Sequence, residues 1–386
     1  MKLYLIAGEA SGDALGAALM AGLTHLIPDI AFHGIGGPLM QAQGMVSLFA
    51  MDELSVMGIA EILPKYTHLK RRIREAAADV QAAHPAALIT IDSPDFCLRV
   101  ARIVRAAQPG LPIIHYVAPS VWAWRPGRAV KMARVIDHVL ALLPFEPPYM
   151  TAAGMTCDFV GHPVVAEPRA SASEAQAFRD DIAATGPLIL ALPGSRRAEV
   201  SRLAPVIGAV LAQVQAAHPS ARVVLPTLRS VAAMVEDLTA DWPIRPLVVE
   251  APEAKRAAFA AADVAIAASG TVSLELAANG VPMVIAYDMH PLTMWLMRQM
   301  AQVDTVTLVT LVSETRAVPE FLGDRCRADL IAPALLGLMQ PGPLRDAQLA
   351  AMRLTMDRLG YGGEAPGLRA ARSVLSVLGA RSGKAD

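Results

Sequence analysis

Short apolar runs rich in Leu, Ile and Val alternate along the chain with longer Ala-rich segments whose apolar positions recur at helical spacing. This alternation predicts parallel βα units, because strands buried on both faces read as continuous apolar runs rather than as every-other-residue patterns. The first half places strands at residues 3–7, 31–33, 88–91, 113–117 and 139–143. A second series follows, with strands at 188–192, 222–225, 247–249, 264–267 and 283–286, and helices between them such as the one over 200–217. Between the two series, residues 164–187 carry Pro168, Ser171, Ser173, Gly186 and Pro187 and read as a connection with a short helix. The expected fold is α/β, with two doubly wound, Rossmann-like parallel-sheet domains at 1–163 and 188–364, then a helix and tail over 365–386.

Composition narrows the class without changing the architecture. A chain of 386 residues exceeds the usual size of one domain, and 54% hydrophobic against 18% charged residues, with mean hydropathy +0.41, excludes a disordered chain. The net charge of -1 argues against a nucleic-acid partner. Three scattered cysteines, Cys97, Cys157 and Cys326, form no disulfide framework and fit a reducing cytosol. The opening apolar run ends at Gly8-Glu9, too early for a signal peptide, and the longest uncharged stretches, such as 264–274, fall short of the roughly 18 residues of a membrane span. A soluble or peripheral protein is expected.

Ligands of open parallel sheets bind beyond the carboxyl ends of the strands, so the turns there carry the candidate chemistry, and the cleft between the domains is the expected site. The turn Pro193-Gly194-Ser195-Arg196-Arg197 ends a strand and opens a helix. Two adjacent cations at a helix start oppose the helix dipole unless an anion compensates, which points to a phosphate; a plain capped turn is the structural alternative. A second turn, Ser269-Gly270-Thr271-Val272-Ser273, leads to Glu275, whose carboxylate is placed for ribose hydroxyls or for the helix dipole. Together the two turns suit a nucleotide diphosphate. No G-x-G-x-x-G, P-loop, Asp-x-Asp or histidine ligand spacing occurs, so a metal and a cofactor are not expected, and any diphosphate must be neutralised by arginine and helix ends. In the first half, Asp92 and Asp95 flank a Pro-containing turn where a carboxylate can act as general base or simply shape the turn. Asp92 is preferred because Asp95 is better placed to cap the following helix; Glu9 and Asp13 are weaker candidates for the base.

Gly8-Glu9-Ala10-Ser11-Gly12-Asp13, Val56-Met57-Gly58-Ile59-Ala60-Glu61, Asp92-Ser93-Pro94-Asp95-Phe96, Pro119-Ser120-Val121-Trp122-Ala123-Trp124, Leu143-Pro144-Phe145-Glu146, Gly161-His162-Pro163, Leu192-Pro193-Gly194-Ser195-Arg196 and Ala268-Ser269-Gly270-Thr271 span nearly the whole chain. In that order they resemble the lipid-A-disaccharide synthases, glycosyltransferases that join two acylated glucosamine units. The resemblance implies a GT-B architecture of two facing domains and an inverting, metal-independent transfer. The donor would be UDP-2,3-diacylglucosamine, the acceptor 2,3-diacylglucosamine 1-phosphate (lipid X), and the products UDP and a tetraacyl-disaccharide 1-phosphate. It makes Asp92 the base for the acceptor's primary hydroxyl, with Glu9 the alternative, and Arg196 the diphosphate contact. Gly194, Ser195, Glu199, Ser269, Gly270, Thr271, Ser273 and Glu275 complete the expected donor site. Ser11, Gly12, Asp95, Ser120, Trp124 and Arg125 are the expected acceptor contacts. One departure stands out: Thr310 falls where family members commonly carry Asn.

Acylated substrates call for a membrane surface, expected on the cytoplasmic face of the inner membrane. Ile62, Tyr66, Leu69, Ile73 and Val80 form one apolar stripe, while Lys65, Lys70, Arg71, Arg72 and Arg74 crowd the remaining face of the same helix. Val56, Met57 and Ile59 lie just before it as candidates for insertion, although a helix docked on the sheet with a solvated basic face has the same pattern. A homodimer is compatible with all of this. The competing readings are another GT-B enzyme acting on UDP-N-acetylglucosamine, a lipid-linked transferase or a 2-epimerase, and a non-catalytic nucleotide-sugar sensor.

Overall fold

The computed structural model describes residues 1–54 and 62–382. The chain forms two compact units, one of residues 1–166 together with 362–386, the other of residues 167–361. In the first unit β1 (Lys2–Ala7), α1 (Ala10–Leu26), β2 (Ala31–Ile35), α2 (Pro38–Ala42), β3 (Val46–Ser47), α3 (Ile62–Ala83), β4 (Ala87–Ile91), α4 (Pro94–Ala107), β5 (Ile113–Tyr116), α5 (Gly127–Met132), β6 (His138–Ala141), α6 (Pro147–Ala152) and β7 (Thr156–Phe159) follow one another. Their seven strands form one parallel sheet in the order β3-β2-β1-β4-β5-β6-β7, reversing direction of growth at β1 and β4. β1, β4 and β5 are almost wholly buried, because helices cover both faces of the sheet.

The second unit contains α7 (Ala172–Asp181), β8 (Leu188–Leu192), α8 (Arg197–Ala217), β9 (Arg222–Pro226), α9 (Ala232–Thr239), β10 (Leu247–Val249), α10 (Pro252–Ala261), β11 (Val264–Ala267), α11 (Val272–Ala278), β12 (Met283–Tyr287), α12 (Pro291–Met300), α13 (Leu308–Ser313), β13 (Glu320–Leu322), α14 (Ala328–Met339) and α15 (Pro343–Leu359). Its sheet is also parallel, in the order β10-β9-β8-β11-β12-β13, with the same reversal between β8 and β11. α8 buries Val200, Leu203, Ala204, Ile207, Val210, Leu211 and Val214, a stripe at helical spacing. It is the one described helix long and apolar enough to cross a membrane, and that stripe lies in the core of its unit.

Two stretches differ from the expected boundaries. The connection expected over 164–187 contains α7, closed by a capping box between Ser171 and Glu174, and α7 packs on α10 within the second unit. Arg179 anchors it there, through the Ala261 carbonyl at 2.6 Å and Asp263 at 3.1 Å. The expected C-terminal helix is α16 (Pro366–Ser382), and it returns to the first unit to pack along α1. Gly22 and Gly367 make this contact close: a Cβ on Gly22 would lie 2.6 Å from the Gly367 carbonyl oxygen, and one on Gly367 2.5 Å from that of Ala18. Ser373 then bridges His138 at 2.8 Å and Asp158 at 2.6 Å.

Candidate active site

In the first unit two neighbouring strands end in strained turns. Asp92 and Ser93, after β4, have φ of +50° and +42°, and Val117, after β5, has φ +84°. Left-handed backbone is uncommon outside glycine and an outlier for a β-branched side chain, costing of order 1–3 kcal/mol per residue, and it concentrates where function demands it. Ile91 and Tyr116 are register partners, and the Asp92 N–H donates to the Tyr116 carbonyl at 2.9 Å, so the two turns lie side by side. Asp92, Pro94, Asp95, His115, Val117 and Ser120 border one pocket of about 470 Å³. Asp92 is half-buried, and that burial holds its carboxyl above the ordinary carboxylate range despite a hydrogen bond from its neighbour's backbone. His115 is buried against the Thr90 hydroxyl at 2.8 Å, and burial pushes its imidazole down to about 4, leaving it neutral at pH 7.

The glycine-rich start of the chain supports this turn. A Cβ on Gly8 would meet Ser93 Oγ at 2.5 Å, and one on Gly12 would lie 3.4 Å from the Ile91 carbonyl, so both glycines admit the close approach of α1 and β1 to the end of β4. Gly12 is buried as packing rather than presented as an acceptor contact, whereas Ser11 and Glu9 are exposed at the start of α1, Glu9 being its N-cap residue. Asp13 serves the fold. Its buried carboxylate accepts from the backbone N–H groups of Gly37, Leu39 and Met40 at 2.9–3.0 Å and so fastens the start of α2. Asp95 lies in the first turn of α4, exposed, and the cap position belongs to Ser93, which makes no side-chain cap bond.

The Trp-containing run divides its work. Trp122 is buried, meets Phe145 edge-on at 5.1 Å and donates from Nε1 to Glu146 at 3.2 Å, while the other Glu146 oxygen accepts from the Leu142 and Leu143 N–H groups. Burial drives the Glu146 carboxyl up to about 7, opposed by these donors. Trp124 stays half-buried with the exposed Arg125 stacked over its ring at 4.3 Å; neither borders the Asp92 pocket.

In the second unit, Gly194, Ser195, Arg196, Glu199, Ser269, Gly270, Thr271 and Glu275 border a pocket of about 500 Å³. Gly194 has φ +112°, and a Cβ there would strike Glu199. Arg196, not Ser195, is the N-cap residue of α8. Glu199 accepts from the Ser195 and Arg196 N–H groups and from Arg196 Nη1 at 3.0 Å, so a carboxylate of the protein already serves these helix-start donors. The Arg196 side chain remains 80% exposed and supplies positive charge at the pocket. Ser273 is a correction to the expected donor set: it is fully buried and donates to the Gly270 carbonyl at 2.9 Å, which shapes the turn. Ser269 donates to the Val306 carbonyl, and Gly270 needs its glycine for φ +144°. Glu275 pairs with Lys255 at 2.5 Å, and Lys255 lies 5.3 Å from the Phe259 ring. Lys255, Thr227 and Phe259 border the pocket and escaped the sequence reading, since they sit just after β9 and on α10 without a motif around them.

Thr310 is buried on α13, and its hydroxyl makes no hydrogen bond. Among the described residues no group of three or more His, Cys, Asp and Glu is placed to hold a metal ion. Val56, Met57 and Ile59 lie outside the described residues. On α3, Ile73 and Val80 are buried in the core, so the apolar stripe docks on the sheet. Lys70, Arg71 and Arg74 are exposed. Arg72 is not a surface cation of the same kind: it grips both Glu53 oxygens at 2.7–2.9 Å, reaches Glu75 at 2.8 Å and lies 4.4 Å over the Phe49 ring.

Comparison with known proteins places this geometry. The family described as lipid-A-disaccharide synthetase matches residues 3–356. The chain belongs to that family. A lipid-A-disaccharide synthase of Ruegeria pomeroyi is 59% identical over 98% of this chain and 96% of its own. At the level of fold, the chain resembles UDP-GlcNAc 2-epimerase from Neisseria meningitidis bound to UDP-GlcNAc (TM-score 0.62, 11% identity, 98% of this chain and 99% of that one). It also resembles a glycosyltransferase from Rickettsia africae (TM-score 0.59, 10% identity, 98% and 97%). The architecture is GT-B, and family membership makes the chain a transferase that forms the lipid A disaccharide.

Proposed function

We propose that the enzyme transfers the sugar of UDP-2,3-diacylglucosamine to the primary hydroxyl of 2,3-diacylglucosamine 1-phosphate. The observation that carries the acceptor side is Asp92, a half-buried carboxylate held by a left-handed turn at the mouth of a pocket, with its proton affinity raised by burial. A base so tuned is better matched to neutral pH than an exposed aspartate. Asp92 takes the hydroxyl proton as the acceptor oxygen attacks the donor's anomeric carbon; the bond from that carbon to the diphosphate oxygen breaks, and its electron pair leaves with UDP. Arg196 meets the charge that develops on the diphosphate, and Glu275 or Thr271 the ribose. Lys70, Arg71 and Arg74 draw the enzyme reversibly to an anionic membrane surface on the cytoplasmic side, where both acylated substrates reside.

Mass spectrometry of the purified protein incubated with the diacylated donor and acceptor tests the reading. A tetraacyl-disaccharide 1-phosphate together with UDP is the expected product pair. UDP release or epimerisation from plain UDP-N-acetylglucosamine, with no disaccharide from the acylated pair, would overturn it.

A further inference from the structure

The pocket that Asp92 borders is also lined by four cations. α4 contributes Arg99 and Arg102, α5 contributes Arg128 and Lys131, and each pair is spaced so that both side chains share one helix face. Among the described residues the side chain of none of these four makes an ion pair, hydrogen bond or ring contact. Arg105, one turn further along α4, shows the contrast: it bonds Asp137 at 2.6 Å and the carbonyls of Pro109, Leu111 and Val135. Arg99, Arg102 and Lys131 are exposed and Arg128 is half-buried, and like charges gathered around one concavity repel one another unless an anion joins them. Asp92 and Asp95 are the carboxylates of the same pocket, and four cations against two carboxylates leave a net charge of +2.

We infer that this pocket binds the phosphate monoester of the acceptor. A phosphomonoester carries about -1.5 to -2 charges at pH 7, which matches the surplus, and three acceptor oxygens that these donors can bond. The inference rests on the acceptor reading given above, and it assigns to Arg99, Arg102, Arg128 and Lys131 the task of distinguishing a phosphorylated acceptor from its dephosphorylated counterpart. With the phosphate held between α4 and α5, the sugar's primary hydroxyl, across the ring, is left for Asp92.

The test uses the full chain and two double variants, Arg99→Gln with Arg102→Gln and Arg128→Gln with Lys131→Gln. Charge-assisted hydrogen bonds of ~1.5–3 kcal/mol correspond to roughly 10- to 150-fold in binding. Each double variant is therefore expected to raise KM for the phosphorylated acceptor by about 10-fold or more, with KM for the donor within about twofold. The ratio of kcat/KM for phosphorylated over dephosphorylated acceptor should collapse toward unity. Independently of turnover, a phosphorus NMR titration with inorganic phosphate should show binding to the wild type that both variants lose at unchanged melting temperature. If phosphate binds in this way but no disaccharide forms, the anion pocket stands and the acceptor reading falls. Unchanged phosphate binding with an unchanged acceptor ratio in both variants overturns the inference. So does loss of anionic-vesicle binding with that ratio intact, since the pocket would then hold lipid headgroups.

Discussion

Asp92 illustrates how a single backbone dihedral sets up a test. Asparagine tolerates left-handed φ at least as well as aspartate, so Asp92→Asn keeps the turn and removes only the basicity. We expect kcat to fall by ~10²–10⁴ with melting temperature little changed, read by steady-state kinetics and thermal unfolding. Burial raises the Asp92 carboxyl above its ordinary 3.8, and a base acts deprotonated, so with Asp92 in the proposed role wild-type kcat/KM should rise with pH along an acid limb lying above that value. The residual activity of the Asn variant should lack that limb. Arg196 offers the matching experiment on the leaving group. Lysine preserves charge but not the planar fork that Glu199 orients, and Arg196→Lys is expected to lower kcat by about 10- to 100-fold and to weaken UDP binding in calorimetry.

At the scale of elements, the density of a motif hides several different jobs. Gly8-Glu9-Ala10-Ser11-Gly12-Asp13 is legible from sequence as a strand-to-helix turn, yet its aspartate serves another helix, and no local spacing announces that α2 will present three N–H groups to it. Asp13→Asn replaces one accepting oxygen by a donor among donors; thermal unfolding should show a loss of about 1–3 kcal/mol, while kcat per folded enzyme stays within about threefold. Glu146 makes the same point through pH. Its carboxyl titrates at about 7 in the folded chain against an ordinary 4.5, so its stabilising contribution is full below pH 4.5 and is lost as pH rises through about 7. Glutamine does not titrate, and the melting-temperature advantage of wild type over Glu146→Gln should therefore shrink between those values in a pH series. The strands themselves were legible because burial on both faces leaves unbroken apolar runs. β3, β7 and β13, at the sheet edges, were not, since Thr156 to Phe159 and Glu320 to Leu322 mix polar and apolar residues.

For the whole molecule, the proposed membrane role rests on the exposed cations of α3. Arg72 is engaged by Glu53 and Glu75, whereas Lys70, Arg71 and Arg74 are exposed, and those three changed together to Gln should reduce co-sedimentation with anionic vesicles at low salt. Turnover of short-chain soluble substrates should survive; equal vesicle binding by wild type and variant would remove the membrane role. Periodicity placed Leu69, Ile73 and Val80 on the core side but could not reveal Glu53, which lies before the helix in sequence and reaches it only in three dimensions. The same blindness to long-range partners concealed the return of α16 to the first unit, where its Gly367 meets Gly22 of α1. That return separates order of synthesis from order of completion. As the polypeptide leaves the ribosome, the face of α1 carrying Ala18 and Gly22 emerges early and must wait for residues 366–382, while residues 167–361 already hold everything their own core requires. The second unit can thus mature first, and the newborn first unit carries an uncovered helix through most of translation, an interval in which chaperones and proteases have their best access to it.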